Sequence, residues 1–221
     1  MDGKGGTQKG VAFFCAVPAS FFPIVTQGIS RARWIQAGRM IYEVPALGTE
    51  MSEPRQPEPW LRGALSEVPA VHRAVLHALQ LAEEDLTRWC ADLTTEELNA
   101  RPAGMASAAF HIRHIARSTD RLLTYSEGRQ LTEAQMASVR AEMNPDATPE
   151  NVFAELRKAL ELARNRVRAL VGADLESNRT VGRQALPTTL GGLLVHVADH
   201  TQRHVGQAIT TAKFVRAAHS T

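Results

Sequence analysis

The 221-residue chain is 44% hydrophobic and 22% charged, has a formal net charge of +2 and holds two cysteines. That is enough for one domain of ordinary size with an appendage, and the interspersed acids and bases exclude a dedicated phosphate-binding surface, so no nucleic acid partner is expected. Cys15 and Cys90 make no CxxC and no disulfide framework, which sets a reducing cytoplasm as the expected location.

The first fifty residues read differently from the rest. Val11–Val25 is apolar, but Pro18 and Pro23 interrupt it and it is too short for a membrane span, so no membrane partner is expected. Lys4 and Lys9 precede it as in an export signal, yet no A-x-A cleavage site follows. Residues 1–57 are therefore expected to be a poorly structured N-terminal extension and linker. The linker is the proline- and acid-rich Ser52–Pro59, and Met51 offers a start that would make the preceding segment an upstream mis-start.

From about Val68 to Leu93, Val71, Val75, Leu79, Ala82, Leu86 and Trp89 recur at helical spacing. His72 and His77, five apart, share no face and read as surface or packing residues, while Cys90 near the helix end reads as a buried, inert thiol. Thr94 and Glu97 form a capping box for a short helix closed by Pro102 and Gly104. Ser107 is the expected N-cap of a second long helix, with Ala109, Phe110, Ile112, Ile115, Ala116, Leu122 and Leu123 as its apolar stripe. His111, His114, Ser118 and Arg121 form a polar row alongside.

Thr132 and Gln135 repeat the capping box for a short crossing helix over Glu133–Glu142. After the break at Asn144–Ala147, Thr148 with Pro149 starts a third long helix, buried through Val152, Leu156, Leu160, Ala163, Val167 and Leu170. Arg164, Arg166 and Arg168 on it are expected on a solvated face. Residues 172–187 read as an irregular loop able to shape a pocket at the bundle end. Thr188 or Thr189 then caps a final helix whose core stripe is Leu190, Leu194, Val197, Val205, Ala208 and Ala212. Four long helices, two short ones and no strand alternation indicate an all-α bundle.

His196, His200 and His204 recur every four residues on that final helix, so all three imidazoles line one face beside the core stripe. One metal cannot take all three: the outer pair lie about 12 Å apart along the axis, against a Zn–N bond of about 2 Å. One adjacent pair must be chosen, and a third nitrogen must come from elsewhere, His111 or His114 being the evident donors. A ligand row bordering a core stripe can project between helices, where bundle metal sites are built.

The segments FHIRHIARSTDRLLTY and LGGLLVHVADHTQRHVGQ resemble the DinB-like (YfiT-like) superfamily of metalloenzymes, as do LTTEELNARPAG and LPTTLGG. The resemblance spans roughly residues 58–217 and implies a DinB-like four-helix bundle domain with an up-down-down-up path. It also implies His114, His200 and His204 as metal ligands. A divalent ion (Zn, Ni or Fe), a low-molecular-weight thiol as co-substrate, a small-molecule substrate and a homodimer follow as further expectations. The implied activity is a metal-dependent transferase that uses the thiol as nucleophile; a metal-dependent hydrolase and a non-catalytic metal-binding bundle are the alternatives. No catalytic residue is assigned from sequence. His111 and His196 are candidates for orienting the ligands or handling protons, with Asp120 behind them. Arg121 and Gln207 are candidates for orienting substrate, and Asp199, adjacent to His200, is expected to point to solvent.

Overall fold

The computed structural model describes residues 56–219. The expectations for the first fifty residues, including the apolar run and the start at Met51, fall outside them. Among the described residues no helix is long and apolar enough to cross a membrane.

After a 3₁₀ turn at Pro59–Leu61, the long helices are α1 (Ala70–Cys90), α3 (Ala108–Ser126), α5 (Pro149–Ala169) and α6 (Leu190–His219). The short helices α2 (Thr95–Asn99) and α4 (Glu133–Arg140) lie between them. The expected caps are present. Thr94 and Thr132 each close a reciprocal box with Glu97 and Gln135, Ser107 accepts from the Phe110 N–H, and Thr148 accepts from the Asn151 N–H. For the last helix the choice falls on Thr189, whose hydroxyl accepts from the Gly192 N–H at 3.1 Å. Each such side chain satisfies an amide that the helix itself leaves unpaired, worth about 1 kcal/mol.

Side-chain contacts between helices fix the chain path. α3 and α6 run antiparallel, since His111 meets His204, His114 meets His200, and the Thr211 hydroxyl donates to Ala106 O. α1 and α6 run parallel, with Gln202 on Ala78 O and Lys213 over the Trp89 ring. α5 runs parallel to α3, because Arg117 pairs with Glu155 and Arg166 with Glu127 further along both helices. The result is the up-down-down-up bundle, with α4 crossing between the two parallel members.

The core lies where the four apolar stripes meet. Leu79, Leu86, Ile112, Ile115, Leu156, Leu160, Leu190 and Leu194 are fully buried, and each such side chain contributes about 1.5–3 kcal/mol by leaving water. His72 and His77 are packing residues: His72 is buried with Nε2 3.1 Å from Leu170 O. Cys90 is buried, and burial pushes its thiol up to about 12.

Two expectations need correction. The stretch expected as an irregular loop, residues 172–187, holds most of a small antiparallel hairpin, β1 (Asn178–Val181) and β2 (Leu186–Thr189). It turns through Gly182 and Ala185, both at positive φ, so the strands are too short and polar to show as alternation. Arg179 Nε donates to Ser126 O at 2.6 Å, which ties the hairpin to the last carbonyl of α3. The arginines of α5 are not all solvated either. Arg164 pairs with Glu83, and Arg166 with Asp120 and Glu127, because α5 flanks both α1 and α3 and its long side chains bridge to their acids.

Gly191 and Gly192 have a steric reason. The Gly191 N–H donates to Leu175 O at 2.8 Å, and a Cβ there would lie 3.2 Å from that oxygen. A Cβ on Gly192 would lie 2.9 Å from the Thr188 hydroxyl. The pair lets the loop pass close over the start of α6.

Candidate metal centre

The histidines that matter come from two antiparallel helices. On α3 the three-residue step from His111 to His114 puts both rings toward α6. On α6 the four-residue step puts His200 and His204 toward α3. His114, His200 and His204 each present one ring nitrogen, and these three atoms lie within 4.8 Å of one another. All three residues are half-buried.

The hydrogen-bond network bears on which nitrogen each ring presents. His114 Nδ1 lies 2.7 Å from Glu142 Oε2, and a carboxylate only accepts, so the proton is on Nδ1. The Ser118 hydroxyl lies 3.4 Å from both His200 Nδ1 and Ile115 O and can donate to either. His204 Nδ1 lies 3.0 Å from His111 Nδ1. Each of the three rings therefore has its Nδ1 beside a partner, and its Nε2 free of that partner.

The separation of those Nε2 atoms tests whether an ion fits. His114 Nε2 and His200 Nε2 are 3.3 Å apart. These two nitrogens share a proton if Ser118 donates to His200 Nδ1, and present two lone pairs to a cation if His200 carries its proton on Nδ1. Two nitrogens each about 2.0–2.1 Å from a tetrahedral Zn²⁺ would be about 3.3 Å apart. The donor set fits a divalent ion.

The electrostatics agree. Burial, reinforced by neighbouring His114, lowers His200 to about 4 and His204 to about 3, and burial lowers His111 to about 4. These imidazoles are neutral near pH 7, the state that ligates. Burial would raise Glu142, but hydrogen bonds from His114 and Arg121 outweigh it and hold the carboxyl below its ordinary range.

Glu142 is the site residue that sequence reading missed. It is 3% exposed, and its other oxygen accepts from Arg121 Nη1 at 2.8 Å. The crossing segment delivers it. Arg117 on α3 donates to Ser138 O at the end of α4, and Arg113 donates to Asn144 O and pairs with Asp146 just beyond, so both flanks of Glu142 are pinned to α3. Glu142 occupies a 3₁₀ turn, Ala141–Met143, 28 residues from His114 in sequence. No periodic pattern marks it; the only signal was an acid closing a short helix that crosses the face of α3.

Other candidates separate clearly. His111 is a partner of His204, as expected. His196 is exposed on the rim, its ring edge against His200 and its Nδ1 3.9 Å from Asp199, with no ligand nitrogen bonded to it. One turn further up α6, it overshoots the convergence point. Asp120 is drawn away from the histidines by Arg166 and Gln135. Asp199 is on the surface, paired with Arg203. Arg121 holds Glu142 rather than standing free for substrate, and Gln207 is exposed beside a cavity. Phe110 stacks on the His114 ring at 5.4 Å and restricts its rotation. A separate cavity of about 440 Å³ between α3, α4 and α5 borders none of these histidines.

A sequence profile of the DinB superfamily matches residues 78–208, more than half of the chain and inclusive of the three converging histidines, and the chain belongs to that superfamily. No curated protein gives a match.

Proposed function

We propose, from this membership and from the three converging imidazoles, that the protein is a metal-dependent enzyme that transfers a small thiol onto an electrophilic substrate, held as a homodimer in the cytoplasm. The observation that carries the reading is the convergence of one ring nitrogen from each of His114, His200 and His204 within 4.8 Å. His114, His200 and His204 would hold the ion through Nε2. Bound by three neutral ligands, a divalent ion keeps its charge and at least one open position, and it acidifies the water or thiol that enters there.

The chain's own contribution is placement. Glu142, Ser118 and His111 fix the ring angles of the three ligands, and Phe110 limits motion of His114. No fourth carboxylate, thiol or imidazole joins the cluster among the described residues, which favours an open site over a closed structural one. Cys90, the one cysteine among the described residues, is buried and inert and is not the nucleophile.

Hydrolysis differs only in the incoming ligand. Titrating cysteine or dithiothreitol into Co²⁺-loaded protein separates the two: the thiol reading expects a sulfur-to-cobalt charge-transfer band that saturates with one thiol per chain. A spectrum unchanged by thiol would refute it and leave water as the ligand.

A further inference from the structure

A cavity of about 530 Å³ lies between the start of α3 and the C-terminal half of α6. His111 borders it. That residue is only 6% exposed, and its Nδ1 is taken by His204. Its Nε2 makes no hydrogen bond, yet it is not sealed in protein. An otherwise buried imidazole thus has one unpartnered nitrogen opening on this cavity. Where His204 Nδ1 donates, as it would with its Nε2 on an ion, His111 Nδ1 accepts and the free Nε2 carries the proton as a donor.

The remaining polar groups are of the same kind. Arg203 uses only Nη2 on Asp199, and the exposed Gln207 amide has no hydrogen-bond partner among the described residues. The hydroxyls of Thr210 and Thr211 already donate to Gly206 O and Ala106 O. No carboxylate lines the cavity, whereas Met105 and Ala106 provide an apolar wall. A Cβ built on Gly206 meets nothing within 4 Å, so the space reaches the helix backbone.

We infer that this cavity is a binding subsite for a small molecule bearing a carboxylate on a short apolar body. His111 Nε2, Gln207 and Arg203 receive the carboxylate, and Met105 and Ala106 receive the apolar part. Because His111, which borders the subsite, is bonded to His204, the inference rests on the proposed function and names the substrate class of that site.

Hexanoate is a suitable probe and hexanamide its neutral counterpart, titrated calorimetrically into the full chain, metal-free and Zn²⁺-loaded. Hexanoate is expected to bind one per chain, and hexanamide about tenfold more weakly. Gly206→Leu, which improves helix propensity while filling the cavity, is expected to abolish binding, and His111→Phe to weaken it about tenfold. Thermal melts confirm that each variant is folded. Absence of hexanoate binding, equal binding of hexanamide, or binding that survives Gly206→Leu would overturn the inference, the last by placing the ligand on the metal. A chain that takes no metal but binds hexanoate in a Gly206→Leu-sensitive way refutes the proposed function and upholds the subsite. One that takes metal but not hexanoate does the reverse.

Discussion

Glu142→Gln is the most informative single substitution. The carboxylate is 3% exposed and shared between His114 Nδ1 at 2.7 Å and Arg121 Nη1 at 2.8 Å. Glutamine keeps the shape and one accepting oxygen but removes the charge, and it cannot serve both donors as an anion does. Two effects follow. Metal affinity should fall about 10–100-fold, the usual consequence of losing an outer partner of a ligating histidine, or about 1.4–2.7 kcal/mol. The metal-free fold should lose about 1–3 kcal/mol, because Arg121, whose side chain is 12% exposed, is left inside the bundle without its counter-ion. Competition with a chromophoric chelator measures the first, and urea unfolding of the metal-free protein the second. Arg121→Lys separates them: it keeps a positive charge beside Glu142, so stability should drop while affinity holds. If Glu142→Gln loses stability yet binds metal like wild type, Glu142 only packs the crossing segment, and the account of His114 is wrong.

Stability of the metal-free protein should depend on pH. His111, His200 and His204 have folded values of about 4, 4 and 3, below the ordinary 6.5, so in this window the unfolded chain binds more protons. Their contribution is therefore complete above about pH 6.5 and is lost as pH falls toward 4 and then 3; unfolding midpoints that do not shift across this range would contradict it. Cys90, buried with its thiol pushed up to about 12, should react with a disulfide reagent only at the rate of global unfolding, and labelling of native protein within the mixing time would show the helix end to be open. Leu79→Ala, at a fully buried position in the middle of α1, should cost about 2–5 kcal/mol in urea unfolding, and a cost under about 1 kcal/mol would mean the core collapses around the gap.

Much of this molecule is legible from local patterns, and the reasons are physical. Helical burial repeats with the backbone, so Val75, Leu79 and Leu86 announce the core by spacing alone. Caps are short-range, so Thr94, Ser107, Thr132 and Thr148 could be named before any fold was known. The three converging histidines stood among the candidates because two helical faces carried histidines in excess, although choosing His114 over His111 and His204 over His196 required the family resemblance. What stayed hidden depends on contacts distant in sequence. Glu142 acquires its role only when α4 crosses α3, and Arg166 finds Asp120 and Glu127 only once α5 runs parallel to α3. The hairpin at Asn178–Thr189 escaped because four-residue polar strands show no alternation.

The central claim is that His114, His200 and His204 hold one divalent ion through their Nε2 atoms. Elemental analysis of protein purified without an affinity tag, wild type against His200→Ala, tests it most directly. One equivalent of metal per chain in the wild type and none in the folded variant is the predicted result. Equal metal content in the two, or no metal bound by the wild type after loading with Zn²⁺, Ni²⁺ or Fe²⁺, would contradict it.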